Sequence, residues 1–296
     1  MKKILRAFAI IATLVAFCSC GHSGAPSESD TTTFVDDYGE SVVVPTHPKR
    51  IVSVSPAVTQ ILFELGAQDL LVGRTEYCTY PEEAQTIENI GGISNLNVEK
   101  VLSLNPDLVI SGSMVPKSAA DQIRSMGVPF VSVTEKEHFD NLYDNIMRIG
   151  ALTGREKQAE RICDSLRGQV AALSPIDTAD RPTVYYVIGY GKGGNFTAGG
   201  NTYIDEIISM AGGRNIAHDI DGWSYSLEAL VSADPDWIIV RKEDYKGFIA
   251  TAPYNNLTAV KNDKVIVMEQ SSMLDLQVPQ NICAIRLLHQ KFTNRN

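Results

Sequence analysis

Two carboxylates in this sequence occupy the same place in two copies of one short phrase. Glu99 lies in "LNVEKVLSLNPDLVIS", which starts at Leu96, and Glu228 in "YSLEALVSADPDWIIV", which starts at Tyr225. One constant offset also matches Ser103 with Ser232, Pro106 with Pro235, Asp107 with Asp236 and Ile110 with Ile239. Each glutamate follows a helix-capping residue, Asn97 or Ser226, and so falls in a first turn where the helix dipole favours negative charge. A helix does not require an acid there, and an acid at the same point of both units is the feature that folding leaves unexplained.

Other residues with chemical potential assemble less well. His47, His138, His218 and His289 are scattered, with no pair at ligand spacing, so a directly bound zinc or manganese ion is not expected. Cys78, Cys163 and Cys283 are widely spaced and form no metal or disulfide motif. "GYGKGG" from Gly189 fits the G-x-G-x-x-G pattern of dinucleotide binding, but the next helical stretch starts near Asn201 or Thr202, too late for its N-terminus to meet a pyrophosphate. No nucleophile elbow is present, and no Ser/His/Asp set can be assembled. An exported nucleotide-binding enzyme is thus the remote alternative, and the expectation is a non-enzyme with no cofactor of its own.

The elements that must position these residues alternate in type. After each Pro-Asp turn, "LVIS" and "WIIV" are apolar and β-prone, as buried parallel strands are. Upstream, "RIVSVSP" and "TVYYVIGYG" are strands, each followed by a helical stretch ending in glycine, at Gly66 and at Gly212-Gly213. The chain therefore reads as two related α/β lobes, at 34–138 and 175–296. Between them, 139–174 is the longest helical pattern, broken near Thr153-Gly154, with Leu152, Ala159, Ile162, Leu166, Val170 and Leu173 on one face. A helical strut holds the lobes at a nearly fixed separation and allows modest hinge motion.

At the N-terminus, Lys2, Lys3 and Arg6 precede an apolar run from Ala7 to Phe17, too short to span a bilayer and typical of a cleaved export signal over 1–19. Residues 20–33, a Ser/Thr/Gly stretch through "GHSGAPSESDTTT", are expected to be a flexible tether. The 296 residues carry 26 basic and 35 acidic side chains, a net charge of −9 that becomes −12 once the signal's three cations are removed. So acidic a chain is a poor nucleic-acid binder.

The whole pattern resembles the substrate-binding proteins of bacterial ABC importers for iron complexes and cobalamin. The resemblance runs from about Pro48 to the C-terminus, through "PKRIVSVSPAVTQILFELGAQDLLVG", "EYCTYPEEA", "VEKVLSLNPDLVI", "FTAGGNTYIDEIISMAGGRNIA" and "SLEALVSADPDWIIV". It implies two Rossmann-like α/β lobes bridged by a single long α-helix, the helical-backbone (class III) arrangement, and a monomer. It implies that Cys20, after the small Ser19, is acylated and anchors the mature chain to the cell envelope. It implies that Glu99 and Glu228 dock into arginines of the two permease subunits.

Ligands of open α/β sheets bind at the carboxyl ends of the strands, and here in a cleft between lobes. The loops at those ends supply Ser55, Tyr77, Tyr80, Phe196, Trp223 and Tyr225 as expected contacts, aromatic for the most part although aromatics are only 7% of the chain. Tyr77, Phe196 and Trp223 align with ligand-contacting loops of the cobalamin binder. The ligand implied is a corrinoid or an iron complex, with ferric siderophore or haem as the alternative; any cobalt or iron arrives with it. Departures fall at Ile93, where the cobalamin binder has a tryptophan and haem-binding relatives a tyrosine, and at "SSMLDLQVPQN", where its Asp and Arg contacts lack clear counterparts. Arg74 and Arg241 are the cations available for an anionic siderophore.

Overall fold

The computed structural model describes residues 30–294, so the expected signal and Cys20 lie outside the described residues. The described chain opens with an antiparallel ribbon of β1 (Thr31–Val35) and β2 (Ser41–Pro45). This corrects the tether expected over 20–33. Thr31, Thr32 and Thr33 are β-branched and pair with Pro45, Val44 and Val43, so the ribbon begins before the tether was to end.

Lobe one follows with β3 (Ile51–Val54), α1 (Pro56–Glu64), β4 (Leu71–Arg74), α2 (Val98–Ser103), β5 (Leu108–Ser111), α3 (Lys117–Ser125) and β6 (Phe130–Ser132). Its four strands are parallel in the order β4-β3-β5-β6. Then come α4 (Asn141–Thr153) and α5 (Glu156–Ala171).

Lobe two contains β7 (Thr183–Val187), α6 (Tyr203–Met210), β8 (Arg214–Asn215), α7 (Leu227–Ala233) and β9 (Trp237–Arg241), then α8 (Lys242–Ala250), α9 (Thr258–Lys261), β10 (Val265–Met268), α10 (Ser272–Asp275) and α11 (Asn281–Thr293). Its parallel order is β10-β9-β7-β8. Both sheets reverse their winding beside the first strand, between β3 and β5 in lobe one and between β7 and β9 in lobe two. Such a reversal opens a crevice at the carboxyl ends of the two strands.

The helical region divides at Gly154, whose φ of +65° closes α4 with a left-handed cap. α4 packs on α1 of lobe one, whereas α5 packs on α11 of lobe two. The single bridging helix is therefore α5, 16 residues long, and not the whole of 139–174. Gly150 lets α4 and α5 meet, since a Cβ there would stand 2.6 Å from the Ala159 Cβ. One apolar core runs from Ile51 and Ile110 through Ile146 and Leu166 to Tyr186 and Ile239, which ties the strut to both sheets.

Candidate functional site

The echoed phrases fold alike, for reasons that are local. The Asn97 side chain accepts from Lys100 N at the start of α2, and Ser226 accepts from Ala229 N at the start of α7. Past each helix a non-glycine residue takes the left-handed conformation, Asn105 at φ +49° and Asp234 at φ +36°, the short polar types that tolerate it. The next aspartate then binds the strand beside its own: Asp107 accepts from Lys49 N and Arg50 N ahead of β3, and Asp236 from the Thr183 N–H and hydroxyl in β7. Caps, left-handed turn and aspartate account for the repeat except for its glutamates. Glu99 and Glu228 are exposed, and among the described residues no side chain binds either carboxylate. Two first-turn acids thus stand free in equivalent places on the two lobes.

The carboxyl ends of the two sheets face one another across an open cleft of about 420 Å³. Lobe one supplies Pro56 and Gln60 of α1 with Tyr77, Thr79 and Tyr80 from the loop beyond β4. Lobe two supplies Glu243, just past β9, and residues 269–272, 275 and 276, past β10. At its floor the Tyr186 hydroxyl donates to Asp275 Oδ1, and Arg241 Nε lies 2.8 Å from Asp275 Oδ2. Burial first, and the Asp275 charge second, push the Tyr186 phenol well above its usual pKa, so it stays protonated and donating. Burial disfavours the Arg241 cation, but Asp275 more than offsets it and holds the guanidinium pKa above its ordinary value.

The expected contacts divide accordingly. Tyr77, which is exposed, and Tyr80 border the cleft. Phe196 and Trp223 stand exposed on the carboxyl-end rim of lobe two: Phe196 bridges to Gly189 and Ser224, and Trp223 O accepts from Thr197 N. They border the rim and do not line the cleft. Ser55 is committed to capping α1, where its Oγ accepts from Val58 N. Tyr225 is packed against Tyr185 in the core of lobe two and donates to Ile216 O. These two are corrected to structural roles.

Arg74 is also corrected. It is buried, and its guanidinium is consumed by the carbonyls of Thr75, Ala84 and Gln85. Arg241 is paired with Asp275, which comes from the very "SSMLDLQVPQN" stretch in which no counterpart was expected. Gln60, Glu243, Glu269 and Asp275 were not anticipated. The rule that ligands sit at the carboxyl ends of strands, applied to the end of β9, would have pointed to Glu243.

The loop from Tyr190 to Asn195 is pinned from below, Gly191 N donating to the Tyr254 hydroxyl, which in turn donates to Asn195 Oδ1. α6 starts only at Tyr203, capped by Thr202, so the glycines of "GYGKGG" form a single 3-10 turn and open no α-helix. Gly200 instead permits a close approach of two backbones. A Cβ there would lie 1.7 Å from His218 O, in a strip where Gly199 N and Gly200 N donate to Gly222 O and Ile220 O. Gly200→Ala is expected to cost about 3 kcal/mol or more. A chemical-denaturation midpoint equal to the wild type would contradict that close approach.

A polar seam joins the lobes near the floor of the cleft. Gln277, fully buried, donates to Lys136 O (2.6 Å) and His138 O (3.0 Å) and accepts from Lys136 N (3.2 Å), on the segment that leaves lobe one. Beside it, Glu206 of α6 accepts from Phe139 N and binds His138 Nδ1, which raises the imidazole pKa above its ordinary value. Cys78, Cys163 and Cys283 are all free thiols, Cys78 buried against Thr59 and Thr75 and Cys283 exposed on α11. No helix among the described residues is long and apolar enough to cross a membrane.

A family profile described as "Periplasmic binding protein" matches residues 51–271. The uncharacterized ABC transporter substrate-binding lipoprotein YvrC of Bacillus subtilis (strain 168) is 29% identical over 78% of each chain. A cobalamin-binding protein of Halobacterium salinarum is 34% identical over 69% of this chain, which spans just 57% of that relative's length. Among solved structures, the periplasmic heme-binding protein RhuT of Roseiflexus sp. RS-1 in apo form superposes with a TM-score of 0.73 at 27% identity, covering 82% of this chain and 97% of that one.

Proposed function

This chain belongs to the periplasmic binding protein family, and we propose that it captures a corrinoid between its lobes and delivers it to the permease of an ABC importer. The observation that carries the reading is the cleft itself, formed where the carboxyl ends of β3 and β4 face those of β9 and β10. A volume of about 420 Å³ suits the edge of a large flat ligand, with the rest lying over the exposed rings of Tyr77, Phe196 and Trp223. The cobalamin-binding relative supports the corrinoid, and the likeness to a heme-binding structure supports haem as the second reading.

Delivery rests on Glu99 and Glu228. Free carboxylates at equivalent places on two lobes match a partner with two similar basic pockets, as a permease of two related subunits has. Such pairs steer encounter and set register. Acylation of Cys20 would hold the binder at the membrane, and the strut α5 would restrict the lobes to a modest hinge. The cycle is one of binding and release, without turnover.

A thermal-shift panel of cobalamin, cobinamide, haem and ferric siderophores tests the ligand class, because a molecule that binds only the native state raises its melting temperature. The corrinoids are expected to give a saturable rise of about 5 °C or more at a hundredfold excess over Kd. No shift with any of the four would overturn the reading.

A further inference from the structure

The cleft wall of lobe one contains a polar side chain with nothing to bind. Gln60 of α1 is 2% exposed and borders the cleft, yet its Oε1 is buried without a hydrogen-bond partner, and its Nε2 makes no hydrogen bond among the described residues. The adjacent Thr59 hydroxyl lies against Ser53 Oγ and Cys78 Sγ and does not serve Gln60. Buried amides are nearly always paired, and an unpaired one at a cavity wall marks the place of a missing partner.

The opposite wall limits what that partner is. Its charged groups are Glu243, Glu269 and Asp275, and among the described residues no lysine or arginine borders the cleft. Two cations stand just behind this wall and both are matched, Lys242 Nζ at 2.6 Å from Glu269 and Arg241 Nε at 2.8 Å from Asp275. A ligand carboxylate entering here would lose its water, meet like charge and find no free cation. A primary carboxamide brings two N–H donors and one acceptor, which complements a glutamine amide on one side and carboxylates on the other.

We infer that Gln60 is a specificity-determining residue that receives a peripheral primary carboxamide of the ligand, while the cation-free wall opposite excludes carboxylate-bearing ligands. The inference rests on the binder reading above. Modest opening of the lobes brings the Gln60 amide to the ligand edge, and closure then pairs it. Selection is thus by donor pattern: a corrin fringed with amides is accepted, and a macrocycle with carboxylate arms is refused.

The test uses the mature full chain titrated with dicyanocobinamide and dicyanocobyrinic acid, which share the corrin and its cobalt, the first carrying amides and the second free carboxylates. Cobinamide is expected to bind at least about tenfold more tightly. Gln60→Leu is expected to weaken cobinamide about tenfold, to leave cobyrinic acid unchanged, and to melt no lower than the unliganded wild type because the orphan has gone. Gln60→Glu, similar in size, is expected to weaken cobyrinic acid further. Equal binding of the two corrinoids, undiminished cobinamide binding by Gln60→Leu, or an equal loss of both ligands and of stability would each overturn the assignment. If haem or a ferric siderophore saturates the wild type and neither corrinoid does, the binder reading stands and this inference falls; if nothing binds, both fall.

Discussion

Replacing Glu99 and Glu228 together with lysine is expected to abolish ligand uptake in cells while leaving ligand binding by the purified protein unchanged. Both carboxylates are exposed and unpartnered, so the fold loses no internal bond when they change. The local cost is the unfavourable placement of a cation in a helix first turn, about 0.3–1 kcal/mol at each site. At a docking surface the arithmetic is different. Setting a lysine against a basic pocket removes an attraction and adds a repulsion, roughly 3 kcal/mol per lobe, or about a hundredfold in affinity for each single reversal. Single variants are therefore expected to retain partial uptake and the double variant none. Undiminished uptake by the double variant would remove the docking role from both residues.

The second large effect is expected at Gln277. Its side chain makes three hydrogen bonds to the backbone of the segment leaving lobe one, and it is fully buried. Gln277→Ala leaves a cavity and an unpartnered Lys136 O at the junction of the lobes, and it strips Lys136 N and His138 O of one bond each, leaving them only Asn141 as partner. The expected loss is about 3 kcal/mol, with a melting temperature roughly 6–12 °C lower. Gln277→Glu is expected to be at least as damaging, because it sets a carboxylate oxygen against two carbonyl oxygens. Because the seam bonds lobe two to the segment leaving lobe one, ligand dissociation from either variant is also expected to accelerate. A Gln277→Ala protein with wild-type melting temperature and dissociation rate would show that the seam does not hold lobe two to that segment.

What was legible in the sequence follows from the range of the interactions. The helix caps at Asn97 and Ser226 and the Pro-Asp turns after them depend on residues within a few positions, so the repeat could be read directly. The break in the helical region at Gly154 was legible for the same reason. The cleft was only half legible. Tyr77 and Tyr80 lie on a loop that any ordering of the sheet leaves at a carboxyl end, whereas the wall from Glu269 to Asp275 depends on β10 lying beside β9.

Gln277 was invisible because its partners are 139 and 141 residues away. Tyr225 and Arg74 were misassigned because an aromatic or a cation on a loop reads the same whether it faces a ligand or packs beneath the loop. Here the backbone carbonyls of Ile216, and of Thr75, Ala84 and Gln85, had already claimed them. The tether ran too far in the expectation because three threonines in a row read as polar linker, while their β-branched side chains also suit the ribbon that they form.

The proposed capture and delivery both depend on a corrinoid sitting in the cleft between the two lobes. Titration calorimetry of cobalamin into the mature chain and into a Ser271→Trp variant, whose indole would occupy the lobe-two wall of the cleft, probes that placement without an intervening step. One saturating equivalent of cobalamin per wild-type chain, with at least about a hundredfold weaker binding to an equally stable Ser271→Trp protein, is the predicted result. Absence of saturable binding by the wild type, or equal affinity in the two proteins, would contradict it.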